Sequence, residues 1–261
     1  MRARNLFWAS AITVLTVAGL DFVATGQRMS AQAPAQRIDP AADRILREMS
    51  EYVAAAEQFT VRADVSTDTV LRSCQWVTAG GRSHVAAQRP DKLRAEHHGS
   101  ERQRLSLLNN GRFTVYDIAR NVYAVADVPT PIDDALDHIV ETLGFSYPLA
   151  DLLSADPYRA LIANVETGFV VGHYAVDGVP SHHLAFSQEL VDWEVWVEDG
   201  PRPVPRQVVI TYKDEEGAPG YRVRLSQWDF SPEFSNHYFE FHPPPDSHEI
   251  EFLPGGGGGQ R

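Results

Sequence analysis

Asn109-Asn110-Gly111, Arg112-Phe113-Thr114-Val115, Asp117 to Asn121 and Val122 to Val125 form the stretch that decides the fold. Asn and Gly accept the positive φ that a tight reversal requires, so residues 109–111 predict a hairpin. Phe113 and Val115 alternate with Arg112 and Thr114, the period of a strand with one buried face. Residues 117–121 read as a second reversal and 122–125 as the returning strand. Strands joined by such short reversals are antiparallel, because a parallel neighbour needs a crossover of about a dozen residues or more. The expected fold class is α+β, built on an antiparallel sheet with one wet face.

The same period runs outward in both directions. Upstream, Phe59, Val61, Ala63 and Val65 alternate with Thr60, Arg62 and Asp64, and Leu93 and Ala95 with Lys92, Arg94 and Glu96. Downstream, Gly168 to Val176 leads to an Asp177-Gly178 turn. His182, Leu184 and Phe186 then share one face, and His183, Ala185 and Ser187 the other. Val191, Trp193, Val195 and Val197 oppose Asp192, Glu194, Trp196 and Glu198. Prolines at 201, 203 and 205 make a connection that is not a central strand. Val208, Ile210 and Tyr212 precede a turn at 214–217, and Tyr221, Val223 and Leu225 follow it. The count is about nine to eleven strands.

Two segments carry the helical period instead. Asp39 caps a helix with Pro40 at its first position, and Ala42, Ile45, Leu46, Met49, Tyr52, Val53 and Ala56 form its apolar face. This helix should end near Phe59. The second segment is an insert: Ile132, Leu136, Ile139, Val140 and Leu143 lie on one stripe between Pro131 and Gly144. A short apolar helix follows over 148–154 with Leu149, Leu152 and Leu153. A third begins at Asp156-Pro157 and carries Tyr158, Leu161 and Ile162.

At 261 residues, 43% hydrophobic and 22% charged, the chain can bury a core without disulfides. Collagen-like, coiled-coil and disordered classes are excluded by that composition. The single Cys74 excludes an internal disulfide and a multi-cysteine zinc site, and reads as a buried, inert thiol. Arg2 and Arg4, an uncharged apolar run from Leu6 to Leu20, and small residues at Ala31, Ala33 and Ala35 read as a secretory signal over about residues 1–33. The run is shorter than the roughly 20 residues of a membrane-spanning helix. No cysteine lies near the cut to take a lipid, so the expected location is the periplasm, with no stable membrane span after processing. One domain over 38–254 and a flexible glycine-rich tail over 255–261 complete the organisation. Losing residues 1–33 removes Arg2, Arg4, Arg28 and Asp21, a net +2, and takes the charge from −12 to −14. So acidic a surface repels nucleic acid and anionic lipid headgroups by its long-range field, and no nucleic-acid partner is expected.

Certain segments carry a family resemblance. Val176-Asp177-Gly178-Val179, Ser181-His182-His183-Leu184-Ala185-Phe186, Val191-Asp192-Trp193 and Trp196 resemble the signature of bacterial predicted periplasmic proteins grouped as domain of unknown function 2092. Residues 89–94, 147–153 and Pro205-Arg206 before Val208-Val209-Ile210 fit the same pattern, and the resemblance covers most of 40–250. Ser181 departs from it, standing where the pattern has cysteine, so no redox or metal role carries over to that position. The family is similar to the LolA/LolB-like lipoprotein-carrier superfold. That resemblance implies a strongly curved antiparallel sheet, a half-open β-barrel, with the N-terminal helix and a helical lid insert on its concave side. It implies a shape and a location rather than a reaction.

Several constellations invite chemistry. His182 and His183 belong to the family pattern with no known role, and as strand neighbours they point to opposite faces, so they do not share one metal. His173 is a cross-strand partner candidate for one of them. His237, His242 and His248, among Glu240, Asp246 and Glu249, follow no ligand spacing, and prolines 243–245 make that segment loop-like. Asp192 and Glu194 stand about 7 Å apart on one strand face, a spacing that also suits paired catalytic acids. Paired acids on an exposed strand read better as solvated charges, and with Trp196 they are the candidate surface contact. No G-x-S-x-G elbow and no phosphate-binding glycine loop occurs. Neither a metal nor a cofactor is expected.

The functional expectation is a non-enzymatic periplasmic carrier or sensor of a lipid or acyl chain. Ile132, Leu136, Ile139, Leu152, Leu153 and Trp193 would line its hollow. The alternative is an interaction module that meets an envelope protein partner through Asp192, Glu194 and Trp196. A hydrolase or metalloenzyme using His182 or His183 ranks third.

Overall fold

The computed structural model describes residues 37–252 except 72, 74, 101 and 146. The expected leader, the Cys74 thiol and the glycine tail lie outside the described residues. The first half of the chain holds β1 (Arg37–Ile38), α1 (Pro40–Ala54), β2 (Gln58–Val70), β3 (Trp76–Gln88), β4 (Lys92–Gly99), β5 (Gln103–Asn109), β6 (Arg112–Asp117) and β7 (Val122–Asp127). The insert holds α2 (Ile132–Leu143), a 3-10 turn (Ala150–Leu153) and α3 (Pro157–Ile162). β8 (Thr167–Val176), β9 (Val179–Ser187), β10 (Val191–Glu198), β11 (Pro205–Tyr212), β12 (Gly220–Asp229) and β13 (His248–Glu249) follow.

Local chemistry sets these boundaries. Asp39 accepts a hydrogen bond from the Ala41 amide at 2.8 Å, with Pro40 beginning α1. Asp156 does the same for the Arg159 amide at 3.0 Å in α3. Gly144, at φ 71°, closes α2 in the left-handed conformation. Asn110 and Gly111, at φ 49° and 77°, turn β5 into β6, as Asp177 and Gly178, at 49° and 78°, turn β8 into β9. Both central residues having positive φ is the geometry that matches strand twist in a two-residue hairpin.

Among the described residues, thirteen strands form one sheet in the order β1-β8-β9-β10-β11-β12-β2-β3-β4-β5-β6-β7-β13. It is two antiparallel meanders, β2 to β7 and β8 to β12, joined where β12 pairs with β2 through Val223↔Val65 and Leu225↔Ala63. The end strands do not pair with each other, so the sheet is not closed.

Four expectations need correction. The strands among the described residues number thirteen rather than nine to eleven, the excess being the two-residue β1 and β13. The sheet is mixed, because β1 and β13 pair parallel with β8 and β7. Each is two residues long, too short for any alternation to show in the sequence. Helix α1 ends at Ala54, and Phe59 belongs to β2, opposite Ala87 and 5.5 Å from the Trp228 ring. The short apolar helix tightens to a single turn over Ala150–Leu153. Most of β3 carries no strand period in the sequence, because Thr78-Ala79-Gly80-Gly81-Arg82 has no apolar alternation. It forms because β2 pairs with it along its whole length and β4 from Gly81 to Gln88.

The helices cover one face of the sheet in two clusters. Ala42, Ile45, Leu46 and Met49 of α1 pack on Phe59 and Val61 of β2 and on residues of β9, β10, β11 and β12. Ile132, Ala135, Leu136 and Ile139 of α2 pack on Leu108 of β5 and on Phe113 and Val115 of β6. Leu93 and Leu153 border both clusters. A fully buried side chain such as Leu46 contributes roughly 1.5–3 kcal/mol relative to exposure.

Candidate functional site

Strand register lays side chains in rows across the covered face. Phe59, Ala87, Leu93 and Leu108 form one row, all apolar. The next, Val61, Val85, Ala95 and Ser106, is nearly so. The third, Ala63, Ser83, His97 and Arg104, turns polar. Beyond it come Val65, Gly81 and Gly99. Across β3, β4 and β5 polarity therefore rises over the first three rows, while Ala63 and Val65 of β2 stay apolar.

A cavity of about 400 Å³ lies over these rows. Its sheet side is β2, β3, β4, β5 and β12; its other side is Leu136 of α2 and the segment from Tyr147 to Leu153. At the apolar end stand Phe59, Leu93 and Trp228. Trp228 reaches inward through an irregularity in the β12–β2 register, with Gln227 at φ 52°, and its Nε1 donates to the Pro205 carbonyl at 3.1 Å.

The polar end is built around His97. Its Nδ1 shares a hydrogen bond with Ser83 Oγ at 2.9 Å. The ring lies across two glycines: a Cβ on Gly81 would stand 2.6 Å from His97 Cε1, and one on Gly99 2.7 Å from Nε2. Burial pushes the imidazole pKa down, and the nearby Arg104, His98 and Arg102 push it further. Its neutral form is favoured there, leaving Arg102 and Arg104 to carry the positive charge. The Arg104 guanidinium lies 5.2 Å from the Phe145 ring centre. Ser106 Oγ and the Tyr147 hydroxyl lie 3.0 Å apart, and burial pushes the Tyr147 pKa up, so that hydroxyl keeps its proton.

Three of the residues expected at the hollow, Leu136, Leu152 and Leu153, line this cavity. Ile132 and Ile139 lie in the cluster between α2 and β5–β6, and Trp193 stacks on Phe186 at 4.2 Å; none of these three lines it. Sequence reasoning passed over His97, Arg104 and Ser83. A signal existed: His97 continues the Leu93, Ala95 alternation and so falls on the apolar face of its strand, where a polar side chain is out of place.

His182 and His183 are engaged on opposite faces. His183 Nε2 lies 2.6 Å from Glu194 Oε2, and its ring stacks on Trp196 at 3.9 Å. His182 pairs across strands with His173, and both Nε2 atoms meet Asp199, at 3.3 and 3.1 Å. Asp192 holds Lys213 at 2.9 Å and accepts from Ser187 at 2.6 Å. Asp192, Glu194 and Trp196 are half-buried. Two groups among the described residues could hold a cation, His173 with His182 and Asp199, and His237 with Glu240 and His242. In the second, His237 Nδ1 at 2.7 Å draws the Glu240 pKa down.

An open, mainly antiparallel sheet with helices on one face and an apolar cavity between them defines the class. The chain belongs to the family of predicted periplasmic proteins DUF2092, whose pattern it matches over residues 42–253. No curated protein matches it in sequence. Among solved structures it is similar to an uncharacterized conserved protein from Thermus thermophilus, at 12% identity over 81% of this chain and 99% of that one, with a TM-score of 0.46. The lipoprotein LppX of Mycobacterium tuberculosis matches at 12% identity over 75% and 98%, TM-score 0.44. A LolA superfamily protein from Nitrosomonas europaea matches at 11% over 77% and 97%, TM-score 0.37. No helix among the described residues is long and apolar enough to cross a membrane.

Proposed function

We propose that this protein is a non-enzymatic periplasmic binder of a hydrophobic ligand, a lipid or acyl chain, acting as carrier or sensor. The observation that carries the reading is the cavity of about 400 Å³ between the sheet and the Tyr147–Leu153 segment, with its mainly apolar lining. That volume lies in the range of small-molecule sites, which are mostly apolar with a few polar groups. The sheet is taken as a half-open barrel with the insert as its lid. In support, residues of β9, β10, β11, β12 and β2 reach one cluster with α1. Laid flat, those five strands would spread over roughly 19 Å, well beyond the width of one helix. A leader ending near residue 33 and a single domain over 38–254 belong to the same proposal.

The test is titration of delipidated protein with a fluorescent fatty acid, alongside mass spectrometry of lipids that co-purify from the periplasm. Saturable binding at one site per chain is expected. Absence of binding by protein that still unfolds cooperatively overturns the reading.

A second reading, docking to an envelope protein, draws on β8. Beyond Gly168 its outer edge has no strand partner among the described residues, and Phe169 and Tyr174 are 53% and 54% exposed. Tyr174 lies 5.9 Å from the His183 ring, continuing the face of Asp192, Glu194 and Trp196. Cross-linking in cells that is lost in Tyr174→Ser but kept in a cavity variant would favour it.

A further inference from the structure

We propose that the cavity takes a single-chain amphiphile with an anionic head, its chain directed toward Phe59 and Trp228 and its head toward Arg102 and Arg104. This rests on the reading of the cavity as a ligand site and adds the head's charge and the ligand's orientation.

The argument begins with the register. From Phe59 to Ala63 along β2 is roughly 13 Å, and over that length the rows pass from wholly apolar to Ser83, His97 and Arg104. A ligand that matches such a gradient is apolar at one end and polar at the other. The sign of the polar end follows from the charges. The cavity is lined by two arginines and by no aspartate or glutamate among the described residues. Among those residues, neither arginine forms an ion pair with a carboxylate. Asp117 stands beside Arg104 in the next strand, but Arg120 holds it, by side chain at 2.6 Å and by backbone at 3.0 Å. In a chain of net charge −12, two such cations gathered at one cavity end are an arrangement that calls for an anion.

His97 supplies the rest of the head site. Ser83 engages Nδ1, and the ring lies across Gly81 and Gly99 with Nε2 on the Gly99 side. A neutral imidazole there offers a hydrogen bond without adding charge. An arginine fork suits a carboxylate or a phosphate equally in geometry, so the shared chemistry is a singly attached oxyanion. One cavity of about 400 Å³ has room for one chain rather than the several chains of a triacylated lipid.

The experiment is calorimetric titration of the whole mature chain with dodecanoate, dodecyl phosphate and dodecanol, which share one tail. Both anions are expected to bind at least tenfold more tightly than the alcohol. Arg104→Gln should remove most of that preference while leaving dodecanol unchanged. Arg102→Gln, at an exposed position, should reduce it in part and gives a second readout should Arg104→Gln not fold. The tighter of the two anions identifies the head as carboxylate or phosphate. Equal affinity for all three, unmoved by either substitution, overturns the anionic head and leaves the cavity reading standing. No binding of any of the three to folded protein overturns both.

Discussion

Ser83 and His97 face each other across β3 and β4, and the 2.9 Å contact between Ser83 Oγ and His97 Nδ1 fixes the ring at the polar end of the cavity. Burial, then the proximity of Arg104, His98 and Arg102, hold the His97 pKa below its ordinary value. The folded state thus keeps the ring neutral while the unfolded chain takes up a proton below about pH 6.5. The stability tied to this group is complete above that pH and is lost as pH falls through the lowered folded value. His97→Gln should therefore flatten the fall of Tm as pH drops below about 6.5, as read by thermal unfolding. An unchanged slope would separate the ring's surroundings from stability.

Gly99 has its place because of that same ring. A Cβ there would stand 2.7 Å from His97 Nε2, while its next neighbours, the Arg102 and Gly80 carbonyls, stay at 3.4 and 3.5 Å. Gly99→Ala should cost about 1–3 kcal/mol by crowding. The double variant with His97→Ala should cost less than the sum of the singles, a coupling measurable in a urea double-mutant cycle.

Ala95 projects into the cavity between Val85 and Ser106. Ala95→Leu adds volume where space exists, so it should leave Tm within a few degrees while weakening fatty-acid binding about tenfold or more. Leu46→Ala, in the filled core beneath α1, should do the reverse. It should cost about 2–5 kcal/mol of stability in urea and leave affinity at low temperature near the parent value.

On the opposite face of the sheet, Trp196 stacks on His183 at 3.9 Å, and His183 also meets Glu194 at 2.6 Å. His183→Phe keeps the stack and removes the polar contact; Trp196→Ala removes the stack. If ring contact is the main contribution, Trp196→Ala should destabilise by about 1–3 kcal/mol and His183→Phe by less, compared in the same urea series.

The strand alternation around Val61, Phe113 and Val195 could be read in the chain, as could the caps at Asp39 and Asp156 and the reversals at Asn110-Gly111 and Asp177-Gly178. Each is set by residues within a few positions of one another. The insert's stripe on α2 was legible for the same reason. Which of its residues face a cavity was not: Leu136 does and Ile139, one turn on, does not, and that depends on where α2 rests over β5 and β6.

What the amino-acid order alone determined was a family, an antiparallel chain path and a set of buried faces, because period, turn conformation and capping are short-range effects. What only the folded molecule decided was the seam between β12 and β2, the short parallel rims, and the meeting of His97, Ser83 and Arg104 beneath Tyr147. Those pairings join residues distant in the chain, and their stability comes from packing and hydrogen bonding across the sheet. No local pattern records which strand will be the neighbour.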